Sequence, residues 1–152
     1  MQKLNLPTFE FRMRKQNGKD QIFDNIRKKF VALTPEEWVR QNLIAFLIHH
    51  QKYSAGLIAV EMLVKVNGLN QRADIVVYNR KGKPVMIVEC KAPSVAVTKA
   101  VFNQAARYNM QLQVDFMMVS NGLQHFCAQL KDKQGGYEMM QQIPSVEQIL
   151  SA

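Results

Sequence analysis

The chain has 152 residues, a length that suits one domain with a sizeable hydrophobic core. Its 47% hydrophobic and 21% charged residues argue against long disorder, and no stretch resembles a membrane span or a signal peptide. The net charge of +8 suits a polyanionic partner such as nucleic acid, or simply a basic solvated surface. Two cysteines, Cys90 and Cys127, lie in apolar runs, which argues against a disulfide framework and indicates a reducing cytoplasm.

The first 33 residues predict two short strands before the main part of the domain. Phe9–Arg14 alternates apolar and polar residues, Asn17 and Gly18 supply a turn, and a second element covers 21–26. The basic triplet Arg27–Lys29 could contact phosphate, but charge patterning favours a solvated connector. We interpret residues 1–152 as one domain in which 1–33 form an N-terminal extension.

A helix is predicted from Thr34 to about residue 50. Thr34 suits the N-cap, Pro35 the first helical position, and Glu37 the third position of a capping box. His49 and His50 are adjacent, so on a helix their side chains point about 100° apart and do not chelate one ion easily. We therefore treat both histidines as structural.

Three strands are predicted next, joined by two turns. The first covers 56–66, and Asn67 and Gly68 form a hairpin loop after it. The second and third cover 73–78 and 85–88, with Gly82 and Pro84 as breakers between them. The side chains of the first strand that should face the core are Ile58, Val60, Met62, Val64 and Val66.

Charged residues interrupt the second and third strands. Asp74 lies inside an apolar run, and Glu89 and Lys91 end the third strand. Because side chains alternate along a strand, Glu89 and Lys91 share one face and Cys90 points the other way. Charges in such positions are costly unless they pair or bind something, so they indicate a site. The opposite face of Cys90 argues against its use as a nucleophile.

The second half of the chain predicts a helix, two strands and a short tail. Thr98 caps a helix to Leu112, and a buried strand covers 115–119. Ser120–Gly122 turns the chain into a strand over 123–130, after which Gly135 and Gly136 end the hairpin. An edge strand and a helix from Ser145 follow. The helix 98–112 carries a mixed stripe formed by Val101, Gln104, Ala105, Tyr108 and Leu112.

The order of elements predicts an α/β fold with a central mixed sheet. Asp74 and Glu89 then come from neighbouring strands, and paired carboxylates with open positions suit Mg²⁺. The ion can polarise a phosphate and acidify a water, while Lys91 orients that water or stabilises charge. The backbone carbonyl of Cys90 is a further candidate ligand.

These residues resemble the PD-(D/E)xK nuclease superfamily, and within it the N-terminal nuclease domain of type I restriction enzyme R subunits. The resemblance covers about 34–128 and implies a restriction-endonuclease-like fold of three layers, a central mixed sheet flanked by helices. It is carried by Glu37–Arg40, Arg72–Asp74, Val88–Lys91, Gln104–Tyr108 and Ser120–Gly122.

The resemblance also implies roles for individual residues. Asp74 and Glu89 become metal ligands for Mg²⁺, which Mn²⁺ could replace, and Lys91 becomes the catalytic lysine. Glu37 corresponds to a helix carboxylate that completes the site, although Glu36 is an alternative and capping explains Glu37 equally well. The residues expected near the DNA backbone are Gln104, Tyr108 and Arg107.

The function expected from the resemblance is Mg²⁺-dependent endonucleolytic cleavage of DNA. The sequence has no G-x-x-x-x-G-K-[ST] loop, so we expect no ATP-driven motor in this chain, and a protein partner or residues 1–33 would select the target. A homodimer is compatible with the sequence. The alternatives are a catalytically silent module that binds nucleic acid or protein, and a purely structural subunit. If these residues have no functional role, Glu89 and Lys91 form only a surface ion pair, and Gln104 and Tyr108 form an ordinary pair one helical turn apart.

Overall fold

The computed structural model describes residues 1–66, 68–132 and 136–152, in which nine strands and three helices are assigned. The strands and helices in chain order are β1 (Met13–Gln16), β2 (Lys19–Asp24), β3 (Lys29–Ala32), α1 (Pro35–His49), β4 (Ile58–Val66), β5 (Leu69–Tyr78), β6 (Pro84–Cys90), α2 (Lys99–Leu112), β7 (Phe116–Ser120), β8 (His125–Asp132), β9 (Gly136–Met140) and α3 (Val146–Ser151). In these described ranges, none of the helices has the length and apolar character needed to cross a membrane.

The six strands β4 to β9 form one sheet in sequence order. Every neighbouring pair is antiparallel except β6 and β7, which run parallel. A parallel pair needs a crossover connection, and α2 supplies it. The register of this pair places Cys90 beside Ser120, so the chain leaves β6 next to the turn that follows β7. The predicted α/β fold with a central mixed sheet is confirmed.

Helices cover both faces of this sheet, which gives three layers. On one face, Val39, Leu43 and Leu47 of α1 share a core with alternate residues of β5 and β6 and with Ile149 of α3. On the other face, α2 packs on Met117 and Val119 of β7 and on neighbouring strands. The central strands are therefore apolar on both sides, as expected for strands that are covered twice.

The N-terminal segment forms a separate sheet with the order β1, β2, β3. The alternation over 9–14 predicts a strand there, whereas β1 begins at Met13, and β3 has no counterpart among the predicted elements. Position 29 was assigned to a solvated connector, but Lys29 pairs with Asp24 of β2. The third strand depends on pairing with residues 21–24 rather than on its own alternation, which is why the local pattern did not reveal it.

The helix starts follow the predicted caps. The Thr34 hydroxyl accepts a hydrogen bond from the Glu37 backbone amide at 3.0 Å, and the Thr98 hydroxyl accepts one from Val101 at 3.2 Å. Ser145 forms a full capping box with Gln148. The predicted capping box of α1 is only half formed, because the Glu37 carboxylate binds Arg40 instead of returning to Thr34.

One prediction for β4 is wrong. Ile58, Val60 and Val64 are buried as expected, but Met62 is 42% exposed. The alternation is interrupted because Glu61 adopts a positive φ of 54°. The predicted turns at Asn67–Gly68 and Gly135–Gly136 include positions 67 and 135, which lie outside the described residues, as do the side chains of several strand ends, among them Val66.

Gly122 allows a test of how tightly the N-terminus packs on the domain. Its φ is +85°, and an added Cβ would lie 2.7 Å from Leu4 Cδ2 and 3.1 Å from Val39 Cγ2. We expect Gly122→Ala to lower the free energy of unfolding by about 2–3 kcal/mol, from left-handed strain and from crowding together. Urea denaturation of the variant and the parent protein measures this difference.

The matched control is Gly82→Ala, because Gly82 has a φ of +80° and open space around the added Cβ. It should cost about 1 kcal/mol from backbone strain alone. Equal losses for the two variants would contradict tight packing of Leu4 against the turn.

Candidate functional site

A cleft of about 220 Å³ lies between α2 and the central strands. Its polar wall includes Glu89 and Lys91 from the end of β6 and Gln104 and Tyr108 from α2, and its floor is apolar. The stripe predicted on α2 also lines the cleft, so the helix presents the expected side to the sheet. The structure thus brings four of the residues singled out in the sequence to one place.

Asp74 lies beside this cleft on the neighbouring strand β5. Its Oδ2 atom accepts a hydrogen bond from the backbone N–H of Cys90 at 2.7 Å, between Glu89 and Lys91 in sequence. The Cys90 side chain points into the core on the other side of the sheet, where burial raises the pKa of its thiol well above the usual range. The predicted alternation of these residues is therefore observed, and the thiol is not in the cleft.

The carboxylates near the cleft repel one another. Burial, followed by the Asp74 carboxylate, raises the pKa of Glu89 to about 7, although Lys91 opposes this shift. Burial also raises the pKa of Asp74, against the hydrogen bond from Cys90 and the charges of Arg40 and Lys91. Carboxyl groups with raised pKa values in a cleft are characteristic of functional sites.

Glu36 and Glu37 take different positions at the start of α1. Partial burial and then the charge of Asp74 raise the pKa of Glu36, and Lys91 lowers it, so Glu36 faces the charges of the cleft. Burial alone would raise the pKa of Glu37, but hydrogen bonds from Arg40, Gln41 and Arg27 outweigh it and hold that pKa below the ordinary value. The oxygens of the Glu37 carboxylate are therefore occupied by hydrogen bonds from these partners, whereas those of the Glu36 carboxylate are not.

A buried ion network lies directly behind the candidate site. Arg40 donates to both oxygens of Glu37, at 2.6 and 2.9 Å, and its Nη1 atom lies 3.6 Å from Asp74 Oδ1. Arg27 reaches the same carboxylate at 3.0 Å and binds Asp24 at 2.6 Å. The network therefore joins the N-terminal sheet to α1 and to β5.

Glu61 of β4 contributes a fourth carboxylate to this network, beside Glu37, Asp74 and Asp24. Its oxygens lie 3.1 Å from Arg27 Nη1 and 3.3 Å from Arg40 Nη2. The left-handed φ of Glu61 is unfavourable for a residue that is not glycine, by about 1–3 kcal/mol. These two ion pairs and a third with Arg72 at 3.8 Å offset part of that cost, which explains why the strand departs from regular geometry at this residue.

The turn after β7 holds the segment that follows Lys91. The backbone N–H of Lys91 donates to the Ser120 carbonyl at 2.8 Å. The Asn121 side chain donates to the Val95 carbonyl at 2.8 Å and accepts from the backbone of Gln124 at the same distance. The motif Ser120–Gly122, which the resemblance included, therefore fixes the backbone around the lysine.

Two residues expected at the site, Glu37 and Arg107, fall outside the cleft, and several residues around the site were not foreseen. Arg107 is exposed on α2 and does not line the cleft. Arg40 and Gln41 lie three and four positions after Glu37, a spacing that could have indicated their contact with it. Arg27 was interpreted as part of a solvated connector, which is wrong because its side chain is only 16% exposed. No local pattern would have revealed its partners.

The residues fit a divalent cation held by few protein ligands. In the described ranges, no group of three His, Cys, Asp or Glu side chains is close enough to hold one ion. Mg²⁺, however, keeps several waters and commonly uses one or two carboxylates together with substrate phosphates. Burial raises the pKa values of both Asp74 and Glu89, and the charge of Asp74 adds to the shift of Glu89; a bound cation would stabilise the ionised forms of both carboxylates.

A family model described as type I restriction enzyme R protein N terminus (HSDR_N) matches residues 35–144, more than half of the chain. No significant match was found among curated proteins. A solved structure of a fragment assigned to an HsdR subunit of a type I restriction enzyme from Vibrio vulnificus YJ016 is similar, with 21% identity and a TM-score of 0.42. The similarity covers 60% of this chain and 19% of that chain, so this chain spans about a fifth of its length.

The raised pKa of Glu89 predicts that ionisation of this carboxyl lowers the folding stability of the metal-free protein as pH rises. Because the folded-state pKa of about 7 exceeds the ordinary 4.5, stability falls as pH rises between these values and stays low above them. Glu89→Gln removes the ionisation, so we expect it to raise the free energy of unfolding by roughly 2–3 kcal/mol near pH 8, and by little below pH 4.5.

Thermal or urea denaturation in EDTA across this pH range measures the difference. Glu138→Gln is the control, because Glu138 is 62% exposed and pairs with Lys131 at the surface. A Glu89→Gln variant that is no more stable than the parent at high pH would contradict the electrostatic description of the cleft.

Proposed function

Since this chain belongs to the family of type I restriction enzyme R protein N termini, we propose that it is a Mg²⁺-dependent DNA endonuclease of the PD-(D/E)xK type. The observation that carries the proposal is the pair Asp74 and Glu89, on neighbouring strands, with raised pKa values beside Lys91. A hydrophobic sheet would not hold these charges together without a ligand to compensate them.

Asp74 and Glu89 would hold the cation, with the backbone carbonyl of Cys90 as a further ligand. Bound Mg²⁺, or Mn²⁺ in its place, would polarise a phosphate oxygen and lower the pKa of a water. The hydrogen bond from the Cys90 amide fixes one oxygen of Asp74, and Arg40 lies near the other. These contacts orient the carboxylate before substrate binds, as preorganised metal ligands require.

Lys91 is proposed as the catalytic lysine. Its ammonium group lowers the pKa values of both Asp74 and Glu89, which supports a position between these carboxylates and the open cleft. There it can orient the attacking water and stabilise negative charge on the phosphate. The hydrogen bond to Ser120 restrains the backbone from which its side chain extends.

The α2 wall is proposed to contact the DNA backbone. Gln104 and Tyr108 lie one turn apart on the side of the helix that faces the cleft, and Tyr108 is 50% exposed. An amide and a phenol at this wall can donate hydrogen bonds to phosphate oxygens. Arg107 is exposed beside them and would add a positive charge outside the cleft. DNA and a partner that selects the target are the expected interactions, and a homodimer remains compatible with them.

One observation favours a second candidate, a catalytically silent module that binds nucleic acid or protein. Both oxygens of Asp74 already have neighbours, Cys90 N–H on one side and Arg40 on the other. A cation would have to share Asp74 with Arg40, which weakens its binding. DNA binding that persists in EDTA without any cleavage in Mg²⁺ or Mn²⁺ would identify this function.

The cleavage hypothesis is tested with Asp74→Asn and Lys91→Ala. We expect each variant to lower the rate of Mg²⁺-dependent nicking by roughly 10²-fold or more, because each removes a group that acts on the transition state. Nicking of supercoiled plasmid, supplemented with labelled single-stranded and branched substrates, measures the rate. EDTA should abolish the activity of the parent protein.

Lys81→Ala is the control for Lys91→Ala, because Lys81 is an exposed lysine in the turn between β5 and β6. It should retain the parent rate, and all variants should keep their circular dichroism spectra. Equal cleavage by the Lys91→Ala and Lys81→Ala variants would refute the proposed role of the lysine.

Glu36 and Glu37 are predicted to differ in what they support. Glu36→Gln removes a carboxylate that faces Asp74 and Lys91, so it should reduce cleavage with little change in stability. Glu37→Gln breaks the buried contacts to Arg40 and Arg27, so it should lower the free energy of unfolding by roughly 3 kcal/mol. Urea denaturation and nicking assays on both variants separate the two effects, and a stable, inactive Glu37→Gln protein would contradict this assignment.

A further inference from the structure

The N-terminal sheet has two chemically different faces. Directly paired residues of antiparallel strands point to the same side, so the pairing of β1, β2 and β3 sorts their side chains. We call one side the outer face, and it consists of Arg12, Arg14, Gln16, Lys19, Gln21, Phe23, Phe30 and Ala32. The opposite, inner face carries the buried Ile22 and Asp24 and packs toward α1.

Two arginines lie over an aromatic pair on the outer face. The guanidinium carbon of Arg14 is 4.1 Å from the centroid of Phe30, and that of Arg12 is 5.1 Å from Phe23 and 5.3 Å from Phe30. The two rings meet edge to face at 5.2 Å. Gln21 and Gln16 accept hydrogen bonds from Arg14 at 2.6 and 2.7 Å, which fixes the plane of that guanidinium group.

No carboxylate belongs to the outer face. The two acidic residues of β2, Asp20 and Asp24, lie on the inner face, as do the residues with which they pair. Within the described residues, Arg12, Arg14 and Lys19 make no ion pair, whereas Lys15 on the other side pairs with Asp20 at 3.4 Å. The outer face therefore presents three uncompensated positive charges, all exposed, on a partly rigid platform.

We propose that the outer face binds the phosphodiester backbone of nucleic acid. A guanidinium group held flat by ring stacking and side-chain amides keeps donors free in a planar fork, which matches phosphate oxygens. Single-sign charge without acidic residues attracts a polyanion and does not suit a protein surface of mixed charge. The partly exposed phenyl rings add a surface on which unpaired bases can stack.

The outer face is also tied to the candidate site. Asp24, on the inner face of the same sheet, accepts hydrogen bonds from Arg27 and Gln41, and Arg27 shares Glu37 with Arg40 beside Asp74. The sheet is thus linked to the proposed metal ligand Asp74 through Arg27, Glu37 and Arg40. Binding by this face goes beyond the proposed function, because it requires neither a metal ion nor cleavage.

The test uses fluorescence anisotropy of labelled DNA, roughly 20 nucleotides long, single-stranded or duplex, in EDTA over a salt series. The full chain and Arg12→Gln/Arg14→Gln are compared. Since each phosphate contact contributes about 0.9 to the salt slope on duplex and about 0.7 on single strands, the double variant should lose between about 1.4 and 1.8 of the slope. We expect its affinity to fall on the order of tenfold near 0.1 M salt.

The control Arg80→Gln/Lys81→Gln removes the same net charge from the exposed turn between β5 and β6, which lies at the opposite ends of these strands from Glu89 and Lys91. It should change affinity by less than about twofold. A second pair uses the two sides of the sheet: Lys19→Gln should lower the slope by about 0.7–0.9, and Lys15→Gln should leave it nearly unchanged. This pair keeps the proposal testable if the double arginine variant does not fold.

Equal losses of DNA affinity in the two double variants would show that binding depends on net charge alone, and this result would overturn the proposal. An unchanged salt slope for Lys19→Gln would overturn it as well. Equal competition by polyglutamate of matched charge would exclude nucleic acid as the specific ligand. Tighter binding of single strands than of duplex would support base stacking on Phe23 and Phe30. Binding is measured in EDTA, where no metal-dependent cleavage occurs, so failure of cleavage and failure of this face give different results.

Discussion

The arrangement of the charged residues depends on the ion pairs that the guanidinium group of Arg40 makes. Arg40 lies on α1 with its side chain 7% exposed, and it contacts carboxylates from α1, β4 and β5. Burial would lower the pKa of Arg40, but Glu37, Asp74 and Glu61 outweigh it and raise that pKa. Loss of this one cation would leave Arg27 to compensate Glu37 and Glu61 and would remove the nearest positive charge behind Asp74, which costs far more than loss of a surface pair.

Two electrostatic regions meet at Asp74. Behind it, Arg40 and Arg27 balance Asp24, Glu37 and Glu61, and the pKa values of Asp24 and Glu37 are lowered by their hydrogen bonds despite burial. In front of it, burial raises the pKa values of Glu36, Asp74 and Glu89, although Lys91 lowers all three and Arg40 also lowers those of Glu36 and Asp74. The carboxylates behind Asp74 are thus more nearly compensated than those on the side of the cleft, where a negative excess is left.

The parts of the fold that depend on local chemistry could be predicted from the sequence. Thr34 and Thr98 start their helices as expected, and alternation along β6 placed Glu89 and Cys90 on opposite faces. The stripe on α2 was also foreseen, and the family resemblance is confirmed for the R protein N terminus. Residues that act through distant partners were missed: Arg27 and Glu61 are 34 positions apart, and nothing in the sequence near either residue indicates their contact.

The same distinction explains why the helix carboxylate could not be assigned from sequence. Glu36 and Glu37 are adjacent and both suit the first turn of a helix, where negative charge is favourable. Their side chains differ by about 100° around the helix axis, so only one can face the cleft while the other faces the N-terminal sheet. Which one does so is decided by Arg27 and Gln41, which hold Glu37 on the compensated side. The position of the N-terminal sheet therefore determines the charge of the cleft, although no residue of that sheet lines it.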